Sequence, residues 1–211
     1  MKSVLRSAFY VFGEHSGWIA WNLFLAFVPL VISLWLFRWQ HRRRSFAWWL
    51  WLGIFMAFLP NTAYLLTDII HLIDAIRAGY SVWITTLVFI PLHLLAIFLG
   101  WEAYVLSVIN QSSYLVKQGA KKYVFVSEIC THAASAVGIY LGRFLRFNSW
   151  DLVTKPDIVL TGTLDQLSRR EPLLVMAITF AILTVLYWLT KQITLGTALR
   201  MRSLKHNSGS L

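Results

Sequence analysis

The sequence predicts an all-α integral membrane bundle of five transmembrane helices, with its N terminus outside and its C terminus cytoplasmic. Three observations carry that prediction. Of the 211 residues, 58% are hydrophobic and only 13% are charged, too little polar surface to cover a soluble core of this size. The apolar residues gather into five runs, each long enough for the about 20 helical residues that cross the hydrocarbon. Basic residues are also distributed unevenly between the two sets of loops that join those runs.

The five predicted spans cover residues 18–37, 46–66, 80–109, 123–143 and 172–190. The third is longer than a crossing requires, so it protrudes or tilts. Residues 4–12 are apolar but too few to span, and no small-residue cleavage site follows them, which favours an interfacial helix over a signal peptide. The loops after spans one, three and five carry eleven basic residues and no acid: Arg38, Arg42, Arg43, Arg44, Lys117, Lys121, Lys122, Lys191, Arg200, Arg202 and Lys205. The opposite side holds eight basic residues and seven acids, and this asymmetry sets the predicted orientation. It also accounts for the net charge of +10, so nucleic acid is not needed as a partner. One transmembrane domain over residues 1–205 and a disordered tail over 206–211 complete the organisation. The single cysteine, Cys130, lies inside an apolar run and forms no disulfide framework.

Span two ends in FLPNTAYLLTDIIHL, residues 58–72. Pro60 is expected to kink the helix and free a carbonyl one turn earlier. Beyond it, Asn61, Tyr64, Asp68 and His71 are spaced three, four and three residues apart. At about 100° per residue they share a stripe roughly 80° wide, which should face the bundle interior or a water-filled vestibule. Such a stripe is either a hydrogen-bonded packing network or the wall of a binding or catalytic pocket. In the second case Asp68 and His71 are the candidate catalytic pair. Two ligands do not define a metal site, so no metal is assigned.

Span four ends in GIYLGRFLRFNSWD, residues 138–151. Ala134, Gly138 and Gly142 recur every four residues and offer a ridge for close helix contact. Arg143 and Arg146, placed on a helix, fall within about 60° of each other. They can pair with Asp68 or Asp151, or grip an anion through their guanidinium forks. Asn148 and Asp151 complete the candidate ligand-binding set, Ser149 is a possible helix cap, and Trp150 suits the interface. In the loop that follows, Pro156 can begin a short helix with Asp157 in its first turn. Its Ile158, Leu160, Leu164 and Leu167 are then expected on the membrane surface.

These two blocks resemble the signatures of bacterial multi-pass membrane proteins catalogued as domain of unknown function 1361, and the likeness extends from span two to the outer loop. The resemblance implies a small protein of a bacterial cell membrane and brings no established activity. The family's pattern has an aromatic–acidic pair at the start of span three, where this chain has Trp83, Ile84 and Thr85.

Deeper in the membrane lie four ionisable residues. Glu102 and Glu128 are near the cytoplasmic ends of spans three and four, and His93 and His132 are near mid-depth of the same spans. Intramembrane charges are costly and favour functional readings, here a proton path or haem ligation, against a buried hydrogen-bond pair between helices. Glu128, His132 and Ser135 share a helical stripe, whereas Glu102 faces away from His93.

No nucleophile elbow, His-Glu-x-x-His, phosphate loop or zinc-type cysteine spacing occurs, so enzymatic activity is undecided and no cofactor is expected. Three functions remain. The first is an accessory component assembling with other membrane subunits in the bilayer. The second is a pocket that binds or processes an anionic small molecule or lipid headgroup. The third is a proton-linked transporter, which the absence of a repeat disfavours.

Overall fold

The computed structural model of the chain describes residues 2–39, 44–77 and 79–208. Arg42, Arg43 and the end of the expected tail, 209–211, lie outside them. The described residues are helical and contain no strand. Nine α-helices follow in order: α1 (Lys2–Leu34), α2 (Phe46–Tyr64), α3 (Ile69–Arg77), α4 (Val82–Ile84), α5 (Ile90–Lys117), α6 (Val124–Phe144), α7 (Asp151–Thr154), α8 (Pro156–Leu167) and α9 (Arg170–Ser208).

Five stretches are long and apolar enough to cross a membrane: Ile19–Trp39, Phe46–Asp74, Val82–Lys117, Lys121–Phe144 and Arg170–Met201. They match the expected spans in number and place, and they differ at their ends. The backbone of α1 is continuous from Lys2, so residues 4–12 do not form a separate helix. The polar residues between Phe12 and Trp18 interrupt the composition without interrupting the hydrogen-bond ladder. Helix α9 likewise continues to Ser208.

Span two contains Pro60 within α2. The helix passes through that residue unbroken and changes geometry only at Leu65–Asp68, which form a 3₁₀ turn leading into α3. The pyrrolidine ring is accommodated from outside the helix by the bare backbone of Gly138 on α6. A Cβ built on Gly138 would lie 2.5 Å from Pro60 Cγ. In span three a π-helical turn, Thr85–Phe89, precedes α5, whose second residue is Pro91. Proline has no N–H for the ladder, and the turn before it widens in response.

The core lies between α1, α2, α5, α6 and α9. Helix α1 packs on α2 and α5, α2 packs on α5 and α6, and α9 lies on α6. Leu36, Phe55, Leu59, Tyr104, Val105 and Val108 are buried at its centre. In a bilayer the lipid tails are as apolar as these side chains, so close packing and interhelical hydrogen bonds hold the helices together more than the hydrophobic effect does. Arg38 Nε donates to Asn110 Oδ1 at 2.6 Å, and Asn110 Nδ2 donates to Ser33 Oγ at 2.9 Å, tying α5 to span one near one end of the bundle. The other end carries the candidate site.

Candidate functional site

The 3₁₀ turn places Asp68 sideways into the bundle, where it is 4% exposed. A carboxylate withdrawn from water in this way needs compensating donors. Arg143, in the last turn of α6, supplies the first, with Nη2 2.7 Å from Asp68 Oδ1. Asn22 of α1 supplies the second, Nδ2 to Oδ2 at 3.1 Å. Arg143 is held further by Thr67 Oγ1, which accepts from Nε at 3.1 Å and also from Nη2, while the Thr67 hydroxyl donates to the Tyr64 carbonyl. The guanidinium rests over the Tyr64 ring, 4.3 Å from its centroid. Span two, span four and α1 are therefore joined at one point, and the charges of Asp68 and Arg143 cancel there.

His71 Nε2 stands 4.0 Å from Asp68 Oδ1, beyond hydrogen-bond distance. Asp68 Oδ1 is engaged by Arg143 and Oδ2 by Asn22, so the closest partners of the carboxylate are an arginine and an amide, with the His71 ring farther off.

Arg146 departs most from the helical reading. Helix α6 ends at Phe144, and Arg146 adopts φ +57°, left-handed for a non-glycine residue. The chain reverses there and the Phe147 N–H bonds the Leu141 carbonyl at 3.2 Å. Left-handed residues commonly terminate helices, but glycine usually occupies the position. Arg143 and Arg146 therefore do not share a helical face. The reversal directs Arg146 to the rim of a cavity of about 700 Å³, where its exposed side chain makes no hydrogen bond or ion pair with a described residue.

The cavity gathers much of the predicted set. Asn61, Tyr64, His71, Arg143, Arg146 and Asn148 line it. Asp68 lies behind Arg143, and Asp151 instead accepts the Asn148 N–H at 2.7 Å, leaving both arginines without it. Ser149 lines the cavity too, and its hydroxyl accepts from Asn61 Nδ2 at 2.9 Å. It does not cap α7, whose N-cap is Trp150. Gly138 and Gly142 form the close seam, lying against Pro60 and Tyr64, whereas Ala134 is exposed and takes no part.

The pattern of the family described as "Protein of unknown function (DUF1361)" matches residues 21–185, which include both signature blocks and every residue of this cavity. The chain belongs to that family. Comparison with curated proteins finds no match, and comparison with solved structures finds none. The activity of this DUF1361 protein has therefore to be argued from its own residues.

The intramembrane groups of this DUF1361 chain form a separate centre. Glu128 is buried and accepts from Ser112 Oγ at 2.6 Å, Tyr187 Oη at 2.9 Å and Lys191 Nζ at 2.5 Å. His132 Nδ1 is 2.7 Å from Tyr104 Oη, and its ring lies 4.6 Å from that of Tyr187. Glu102 accepts from Thr194 at 3.0 Å. His93 Nδ1–H donates to the Phe89 carbonyl at 2.8 Å, beside the π-helical turn. The two histidines thus have different partners. Among the described residues no cluster of three metal-ligating side chains occurs.

Sequence reasoning missed Asn22 and Trp21 at the cavity, Thr67 beside Arg143, and Ser112, Tyr187 and Lys191 around Glu128. Asn22 sits alone in an apolar run, and a lone polar residue in a span was the signal available for it. Nothing in the spacing marks the others, because their partners lie on different helices.

Proposed function

We propose that this protein is a multi-pass membrane protein whose cavity, at the extracytoplasmic end of spans two and four, binds a ligand carrying a phosphate or carboxylate. The carrying observation is the contrast between its two arginines. Arg143 is neutralised by Asp68, whereas Arg146 lines the cavity without a hydrogen-bond or ion-pair partner among the described residues and in a strained backbone conformation. Such strain persists where the surrounding structure enforces it, and it concentrates at binding sites. A guanidinium accepts a phosphate or carboxylate in bidentate fashion. The amide groups of Asn61 and Asn148 and the imidazole of His71 line the same cavity and can donate to the remaining oxygens. The volume lies in the range of about 300–1,000 Å³ usual for small-molecule sites. The loop charges of the sequence support placing this end outside the cytoplasm.

The test is thermal unfolding of the purified protein with a panel of phosphate compounds, both soluble and lipid. A ligand that binds only the folded state raises Tm in proportion to its saturation. At least one compound is expected to stabilise the native protein and to leave Arg146→Ala unaffected. Equal shifts in both proteins across the whole panel would overturn the proposal.

A further inference from the structure

The cavity is amphiphilic along its depth. Polar lining comes from Arg146, His71, Asn148 and Ser149 and apolar lining from Leu25, Ala57, Pro60 and Leu141, and we read the first group as its rim and the second as its floor. Ala57 is two helical turns below Tyr64, about 10 Å deeper into the membrane at 1.5 Å per residue. A small hydrophilic anion would meet the rim and leave that floor empty or wet. A molecule with a charged head and an apolar stem matches both regions.

Two helices beside the cavity carry exposed apolar surface. In α3, Ile69, Ile73 and Ile76 are exposed, and in α8, Leu160, Leu164 and Leu167 are exposed. Both sets have i, i+4, i+7 spacing, a stripe roughly 60° wide at about 100° per residue. Each helix also has other faces. Leu72 of α3 is buried in the bundle, and His71 and Asp74 turn to the cavity. In α8, Val159 is buried and lines the cavity, while Asp157, Thr161 and Asp165 form an exposed polar side about 100–180° from Pro156 in helical projection. Ile158 falls on the opposite flank from the three leucines. A helix with one buried, one apolar exposed and one polar exposed face suits the plane where hydrocarbon meets headgroups. Both helices contribute to the cavity, α3 through His71 and Asp74 and α8 through Val159, and their exposed isoleucines and leucines suit contact with lipid beside it.

We infer that the ligand is a glycerophospholipid, taken from the surrounding leaflet, with its phosphate at Arg146 and the start of its acyl chains on Leu25, Ala57 and Leu141. This rests on the proposed anion site and names its ligand class.

The experiment compares two probes with one headgroup, dihexanoyl phosphatidylglycerol and deacylated glycerophosphoglycerol, on delipidated protein in dodecyl maltoside, a detergent without phosphate, with Arg146→Ala as the reference for partition into the micelle. The acylated probe is expected to bind about tenfold more tightly or better, since each buried methylene contributes several-fold in affinity. Ala57→Leu, which fills the floor, should remove that advantage. Where that variant does not fold, the acyl dependence in the native protein decides alone. Equal affinity of the two probes, both lost in Arg146→Ala, would overturn the lipid assignment and leave the anion site standing. Binding of both probes unaltered by Arg146→Ala would overturn the site itself.

Discussion

At the scale of single residues, the site is organised by which arginine has a carboxylate. Removing Asp68 leaves Arg143, only 20% exposed, without its counter-charge. Breaking a buried pair from one side is strongly destabilising, and partial exposure puts this case near the lower end of the range, about 3 kcal/mol. Asp68→Ala is therefore expected to lower the unfolding temperature markedly, and removing Arg143 as well should restore part of the loss. Two single variants as stable as the native protein would show that the pair holds nothing. Arg146 behaves in the opposite way. Its left-handed backbone costs about 1–2 kcal/mol for an L-residue, a strain that glycine escapes at some entropic expense. Arg146→Gly should thus gain up to about 1 kcal/mol in stability while abolishing anion-dependent stabilisation. Thermal unfolding with and without a bound phosphate compound reads both effects at once. A fall in stability would mean that the side chain, not the strain, dominates there.

At the scale of elements, the site depends on how closely α6 approaches α2. Gly138 lets α6 approach α2 closely at Pro60 because there is no Cβ between them. Adding a methyl group at Gly138 forces the helices apart against backbone and a rigid ring, at a cost of about 1–3 kcal/mol. A Cβ built on Gly142 would lie 3.4 Å from Tyr64 Cε2, an ordinary contact with a side chain that can shift. Gly138→Ala should therefore weaken both stability and ligand binding, with Gly142→Ala close to native in each. Equal responses would place the tight contact elsewhere. The small-residue spacing of span four was visible in the sequence, and so was the polar stripe of span two. Which glycine met which residue was not, because i, i+4 spacing defines a face and leaves its depth and partner open. The helix end at Phe144 was also out of reach. The residues that end the helix, RFLRF from Arg143 to Phe147, include no glycine or proline to mark a reversal, and the left-handed turn at Arg146 is set by what packs around it.

At the scale of the whole molecule, the proposed function requires the cavity to open away from the cytoplasm. Replacing Cys130 by serine and placing single cysteines at Ser168 and Ser203 tests this with a membrane-impermeant maleimide on intact cells. Ser168 lies between α8 and α9 at the cavity end, and Ser203 lies in the last turns of α9. Labelling is expected at position 168 and not at 203; the reverse pattern would place the cavity in the cytoplasm. The buried Glu128 centre has a different place in the molecule. Lys191 and Tyr187 of α9 reach across to α6, and this contact fastens the last span to the bundle.

The sequence by itself determined the five spans, the all-helical class, the charge asymmetry and the two polar blocks, because each is a matter of composition or of local helical period. Hydrocarbon imposes that legibility, since a chain within it must satisfy its backbone internally and so reveals its helices as apolar runs. Only the folded chain shows that Asp68 pairs with Arg143, that Arg146 lines the cavity, and that polar and apolar residues from distant parts of the sequence line it together. Those outcomes depend on contacts between residues as far apart as Asn22, Asp68 and Arg143, and on a backbone reversal that no local pattern encodes.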